Sequence, residues 1–234
     1  MDKYPKWQYD ELAGCGSKHN DTQIAEQYDS FHTGFRDFDE EARQIIIAIG
    51  MEKNHIVIDM GCGTGAFTIP AAARCKKVYA VDIAEAMLKR CREKADRAGL
   101  SNIEFHNAGF LTYEHTGEPA DAIVSSLAMH HLPDFWKQVA FHRLKAMLKK
   151  GGRLYLQDAV FNIDLDDYPQ CIEKLINTGV HAGRADEQMQ LHIRSEYSTF
   201  CWVIEGMLEK AGFKVDAANS QNNFIMSYLC TKTI

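Results

Sequence analysis

No apolar run in the chain approaches the roughly 20 residues that a membrane-spanning helix needs. The longest, Ile45 to Ile49, covers little more than one helical turn. The opening Met1-Asp2-Lys3-Tyr4-Pro5-Lys6-Trp7 lacks the apolar core of a secretory leader. Basic clusters interleaved with aromatics are missing as well. Lys76-Lys77 and Lys149-Lys150 are isolated pairs in a chain of net charge −6, which argues against a nucleic-acid surface. The seven cysteines (Cys15, Cys62, Cys75, Cys91, Cys171, Cys201 and Cys230) are odd in number, scattered, and without a C-x-x-C pair. That is the pattern of reduced cytoplasmic thiols, not of a disulfide frame or a zinc site. Internal repeats and low-complexity tracts are also lacking. The expectation is a soluble cytoplasmic protein with neither a membrane nor a nucleic-acid partner; its oligomeric state leaves no signal in the sequence.

What remains is ordinary globular material. With 234 residues, 46% hydrophobic and 25% charged, the chain can bury a full core as one domain with an appendage, or at most as two small domains. Its densest signal is Ile56-Val57-Ile58-Asp59-Met60-Gly61-Cys62-Gly63-Thr64-Gly65-Ala66-Phe67. The apolar run has no alternation and reads as a strand covered on both faces. Gly61, Gly63 and Gly65 then let the backbone turn sharply and approach a ligand where a Cβ would collide. The helix that follows aims its N-terminal N–H groups back at the turn. Together these describe a nucleotide-type site at the carboxyl end of a strand. Gly61-x-Gly63-x-x-Ala66 satisfies the dinucleotide fingerprint. The Asp59 carboxylate, however, suits a ligand carrying an ammonium and a sulfonium better than a pyrophosphate.

Asp59-x-Gly61-x-Gly63-x-Gly65 closely resembles the first motif of the class I S-adenosylmethionine-dependent methyltransferases, here of small-molecule type. Later stretches extend the resemblance. Val78–Val81 reads as a strand ending at Asp82, where an acid in both candidate folds accepts from ribose hydroxyls. Asp82-Ile83-Ala84-Glu85 is also a capping box for a helix reaching Ala98. Ala25-Glu26-Gln27-Tyr28-Asp29 looks like the helix that many such enzymes close over the cofactor, with Tyr28 lining the site. Alternatively, Tyr28, Phe31 and Phe35 pack a helical hairpin on the sheet. Leu127-Ala128-Met129-His130-His131-Leu132-Pro133-Asp134 resembles the fourth motif, whose loop lies beside the transferable methyl. His130 and His131 are therefore candidates for the substrate pocket, surface or capping groups being the ordinary alternative. No carboxylate or third histidine has obvious ligand spacing to them, so no metal is expected. The family often carries an acid where Gly109 stands, accepting from the adenine amino group. Gly109 cannot, and Asn107 or the Phe110 N–H is expected to take over; the Phe110 ring either stacks on adenine or belongs to the core. The resemblance thus implies S-adenosyl-L-methionine held by Tyr28, Asp59, Gly61, Cys62, Gly63, Gly65, Asp82, Ile83, Met87, Asn107, Gly109, Phe110 and Ser125.

Pattern and spacing predict helices over Asp21–Tyr28, Phe35–Ile49, from the glycine turn to Arg74, Phe135–Lys149 and Thr199–Ala211, with Gly151-Gly152 as an αL cap. Further strands are predicted at Ile103–Phe105, Asp121–Ser126, Arg153–Leu156, Lys214–Ala217 and Ile225–Leu229, the last two around an Asn219–Asn223 turn. Strands alternating with helices imply an α/β fold with a parallel, doubly wound sheet, and the terminal hairpin resembles the family's Rossmann-like, mostly parallel seven-stranded arrangement with an antiparallel terminal strand and a helical cap. Residues 1–234 form one domain, with a helical arm over 1–50 and a cap insertion over 161–196. That insertion exceeds the one crossover helix the fold requires and carries His181, Arg184, His192 and Arg194, with Tyr197 just beyond. It is expected to be a lid over the acceptor, helped by Tyr4, Trp7 and Tyr9, with His192, Arg194 and Tyr197 on the substrate.

A sulfonium needs no general acid, only desolvation, in-line alignment and a base where the nucleophile must lose a proton. The chain has no Asn/Asp-Pro-Pro-Tyr/Phe tetrapeptide and no Pro-Cys pair, the marks of nucleic-acid methyltransferases. The expectation is methyl transfer to a small molecule. A methyltransferase acting on tRNA or protein, a catalytically silent cofactor-binding module and an NAD(P)-dependent oxidoreductase are the alternatives.

Overall fold

The structure is a computed structural model that describes residues 5–14, 21–32, 36–181 and 186–233. Tyr4, Phe35 and Arg184 lie outside these residues, as do the side chains of Phe31 and His181. Among the described residues eight strands form one sheet: β1 (Ile56–Met60), β2 (Lys77–Asp82), β3 (Ile103–Asn107), β4 (Ala120–Ser126), β5 (Leu148–Phe161), β6 (Thr199–Phe200), β7 (Phe213–Gln221) and β8 (Ile225–Lys232). Their order is β3-β2-β1-β4-β5-β8-β7, with β6 beside β5 off this path. Strands β1 to β5 run parallel, and β8 is antiparallel to both of its neighbours. The helices are α1 (Glu11–Gly14), α2 (Thr22–His32), α3 (Phe38–Ala48), α4 (Thr68–Ala72), α5 (Glu85–Arg97), α6 (Asp134–Met147), α7 (Tyr168–His181), α8 (Asp186–Ser195) and α9 (Cys201–Ala211). Among the described residues, no helix is long and apolar enough to cross a membrane.

The unbroken apolar β1 is buried throughout because helices cover both faces. Ile56, Ile58 and Met60 join Phe141 and Leu144 of α6 and Leu208 of α9 in one cluster. Val57 joins Ala42 and Ile45 of α3 and Ala71 of α4 in another. Two-residue alternation then puts Asp59 on the Val57 face, beneath α4. Strand β2 behaves likewise, with Tyr79 and Val81 on one side and Val78 on the other.

Boundaries differ from the predicted ones for local reasons. Helix α2 extends to His32, and α3 starts at Phe38 because the Asp37 carboxylate accepts from the Glu40 N–H. Gly151 does not cap α6: Leu148 is already extended and buried, and the chain passes directly into β5. The glycines instead sit in an irregularity, where Ala120 pairs with Leu148 but Ala122 with Arg153. The last hairpin is longer than expected and turns at Asn222 and Asn223, both at positive φ, which asparagine tolerates. The 161–196 insertion supplies α7 and α8. They pack at the carboxyl end of β5, where Ala159, Met189 and Phe224 form a buried cluster with Leu175 and Ile176 against it.

Candidate active site

The carboxyl ends of β1, β2 and β4 meet at the glycine turn. A Cβ on Gly61 would stand 2.5 Å from Ala128 Cβ, and one on Gly65 would stand 2.5 Å from Cys91 Sγ. The protein's own packing therefore demands both glycines. Gly63 differs: at φ +53 its Cβ would meet no heavy atom within 4 Å. It borders two clefts. The larger, about 730 Å³ counted to its mouth, lies against Met60, Gly61, Asp82, Ile83, Ala84, Met87, Gly109 and Phe110. Ser126, Leu127, Ala128, His131 and Leu132 line it as well. The smaller, about 520 Å³, lies across the turn against Asp59, Thr64, Arg36, Phe38, Glu41 and Phe67. Tyr28, Gly61, Gly63 and Ser126 border both.

Two carboxylates sit at the strand ends in different surroundings. Asp82 accepts from the Gly63 N–H and from the Ala84 N–H, each at 2.8 Å. The predicted capping box is thereby corrected: α5 begins after Ala84, so Asp82 braces the glycine turn instead of the helix. Asp59 is buried and accepts from the Thr68 hydroxyl at 2.5 Å. Burial pushes its pKa up to about 7, against that hydrogen bond, and the charge of Asp82 adds to the rise.

Two expected cofactor contacts are placed elsewhere. The exposed Asn107 borders neither cleft; its amide donates to the carbonyls of Asp82 (3.2 Å) and Ile83 (2.9 Å) and so is occupied bracing backbone. Ser125 is fully buried and borders neither cleft, whereas Ser126 borders both, because strand alternation turns neighbours to opposite faces. Cys62 borders the smaller cleft, while its side chain packs with Ala80, Leu88 and Cys91. Phe110 is both core and cleft wall.

Sequence reasoning missed Glu11. Its carboxylate is buried, borders the larger cleft, and accepts from the Leu111 N–H at 3.0 Å. A Cβ on Gly109 would lie 2.5 Å from Glu11 Cδ. Glu11 thus fills the space of the side chain that Gly109 lacks. Burial raises its pKa to about 7, opposed by hydrogen bonds from Leu111, Phe110 and Thr112. The only signal was the missing acid itself, since nothing around Glu11 marks it in the sequence.

Helix α2 is clamped to the glycine turn. Asp29 accepts from the Thr64 hydroxyl and pairs with Lys94, each at 2.5 Å, which sets Tyr28 over both clefts. After β4, Leu127 holds a positive φ of 54, uncommon for leucine, and opens the turn Met129–His131. The two histidines of that turn part company. His131 borders the larger cleft. His130 is buried, with Nδ1 2.5 Å from Asp158 and Nε2 3.2 Å from Glu196. Desolvation pulls its pKa down, but Asp158 and Glu196 outweigh this and hold it at about 9. His192, Arg194 and Tyr197 border neither cleft. His192 lies 2.5 Å from Glu196, and Arg194 is exposed. Tyr197 meets Tyr9 edge-on at 6.3 Å, and the Tyr9 hydroxyl donates to the His131 carbonyl at 3.1 Å.

A family model described as a methyltransferase domain matches residues 57–152, from β1 to the start of β5. An uncharacterized methyltransferase of Geobacillus kaustophilus is 30% identical over 210 residues, covering 87% of this chain and 91% of its own. Magnesium protoporphyrin IX methyltransferase of Synechocystis PCC 6803, solved with bound S-adenosylmethionine, superposes with a TM-score of 0.65 at 16% identity, over 98% of this chain and 100% of its own. The cyclase SpnF superposes with a TM-score of 0.72 at 12% identity, over 98% of each chain. The chain belongs to the class I S-adenosylmethionine-dependent methyltransferases. It is an enzyme of that class, and S-adenosylmethionine is its cofactor.

Proposed function

We propose that this methyltransferase acts on a small molecule bound at the Ser126–Leu132 end of the larger cleft. The observation that carries the reading is that one cleft brings Glu11, Asp82 and the glycine turn together with His131 and Leu132 of the segment after β4. The likeness to SpnF is one of fold, and a shared fold does not set chemistry; methyl transfer rests on the 30% identical relative.

The residues present fit the cofactor. Gly63 leaves open the space into which a side chain would project. Asp82, held by the Gly63 and Ala84 N–H groups at the border of the larger cleft, accepts from the ribose hydroxyls. Ile83 and Met87 offer apolar faces to the adenine, and Glu11 accepts from its amino group in place of the acid absent at Gly109. Asp59 and Arg36, the latter paired with Glu41, border the smaller cleft, where they face the ammonium and carboxylate of an amino-acid tail. Bound there, S-adenosylmethionine supplies an electrophilic methyl group on sulfur. Tyr28 and Leu132 exclude water, and His131 takes a proton from the acceptor where one must leave. The α7–α8 insertion packs at the carboxyl end of β5 through Leu175, Ile176 and Met189; since Arg194 and Tyr197 border neither cleft, they are not assigned to the acceptor.

Incubation with methyl-labelled S-adenosylmethionine and fractionated cell extract tests the reading. Label should enter the metabolite fraction. Label confined to RNA or protein would replace the small-molecule acceptor with a macromolecule.

A further inference from the structure

We propose that His130, His192 and Glu196 form a binding site for one divalent transition-metal ion of the zinc class, behind the turn whose His131 borders the larger cleft. One donor atom from each residue lies within 4.8 Å of the other two. His130 Nε2 stands 3.2 Å, and His192 Nδ1 2.5 Å, from the same oxygen of Glu196. Donors on a tetrahedral ion with bonds of ~2.0–2.1 Å are about 3.3 Å apart. The His130 pair already has this spacing. The His192 pair must open by somewhat under ~1 Å, a movement available to a Glu196 side chain that is 31% exposed.

The remote nitrogens supply a second, independent observation. His130 Nδ1 is 2.5 Å from Asp158 Oδ1, and the other oxygen of Asp158 accepts from the N–H groups of Met129 and His130. This arrangement leaves Nε2 as the donor that faces Glu196. His192 Nε2 is 2.8 Å from the Ser198 hydroxyl. Metal-binding imidazoles characteristically have the remote nitrogen held by such an oxygen partner, which orients the ring; here both rings do. Asp158 and Glu196 bring two carboxylates to a place walled by Phe224, edge-on to His192 at 5.1 Å. Two imidazoles and a carboxylate suit zinc, cobalt or nickel, whereas magnesium and calcium prefer all-oxygen sets. Three protein ligands leave a fourth position for water or a ligand heteroatom.

The ion would join α8, which carries His192 and leads into Glu196, to the turn after β4. The Tyr197 N–H, donating to the His130 carbonyl at 2.9 Å, already links the same two segments. The proposal stands apart from the cofactor reading. To test it, the untagged full chain is stripped with a chelator, then titrated with Zn²⁺ by calorimetry and with Co²⁺ by visible absorption, with Mg²⁺ as control. One ion per chain, four-coordinate Co²⁺ bands and a Zn²⁺-dependent rise in melting temperature are expected. Glu196→Gln and His192→Ala should each weaken binding at least tenfold, and Asp158→Asn, one step removed from the ion, about tenfold. S-adenosylhomocysteine binding, measured alongside, should persist in Glu196→Gln, so a failure of the cofactor reading shows separately. Absence of saturable binding would overturn the proposal. So would unchanged affinity in both ligand variants, with thiolate bands in the Co²⁺ spectrum, since the ion would then be held by cysteines.

Discussion

Gly61, Gly63 and Gly65 look alike in the motif, but their neighbours separate them. Gly61 and Gly65 are required by the protein's own side chains, and only Gly63 faces empty cleft. Gly61→Ala forces a Cβ onto Ala128 and should destabilise the fold by about 1–3 kcal/mol. Gly63→Leu bears only the left-handed backbone, roughly 1–2 kcal/mol, yet should abolish S-adenosylhomocysteine binding. Calorimetry on the two variants distinguishes them; normal binding by Gly63→Leu would refute the assignment of that space to the cofactor. Glu11 allows a sharper test. Its carboxyl keeps a proton up to about pH 7 in the folded chain, against an ordinary value of 4.5. Between these values the folded state binds more protons than the unfolded, so stability falls as pH rises through this window. The slope amounts to at most about 3 kcal/mol and should flatten in Glu11→Gln. The same variant should discriminate less well between adenosyl and inosyl forms of the product. Unaltered selectivity would show that Glu11 fills space without reading the base.

Among the elements, α2 carries the cofactor-side work of the N-terminal arm through one clamp. Asp29 joins Thr64 of the glycine turn and Lys94 of α5, both partly buried. Asp29→Ala should free α2 and take Tyr28 off the clefts, weakening S-adenosylhomocysteine about tenfold, the loss of one charge-assisted hydrogen bond of roughly 1.5 kcal/mol. Stopped-flow displacement should place most of that change in the dissociation rate; unchanged dissociation would mean that Tyr28 closes over nothing. The α7–α8 insertion is a different kind of element. It is joined to the sheet by a small apolar cluster and, through Glu196 and Tyr197, to the turn that bears His131.

For the whole molecule, a ligand that binds only the folded state stabilises it by mass action. At a hundredfold excess over its dissociation constant this is about 2.7 kcal/mol, or roughly 5–10 °C in a chain of this length. S-adenosylmethionine and S-adenosylhomocysteine should both produce such a shift and NAD none. A thermal-shift series that gave the reverse order would remove the cofactor assignment at its root.

What the sequence determined by itself is what neighbours along the chain decide. The apolar run of β1, the three glycines and the acid closing β2 are local features, and each was legible because backbone geometry and strand burial act over a few residues. The parallel sheet and its antiparallel last strand followed from the order of such segments. Only the tertiary structure decided which residues meet across it. Ser126 and not Ser125 faces the cleft because of strand phase, and Asn107 is taken up by carbonyls of a neighbouring strand end. Glu11 comes to Gly109 from 98 positions away, and Glu196 to His130 from 66. Such pairs have no spacing signature, because chain folding brings them together and neither residue's own neighbourhood anticipates the other.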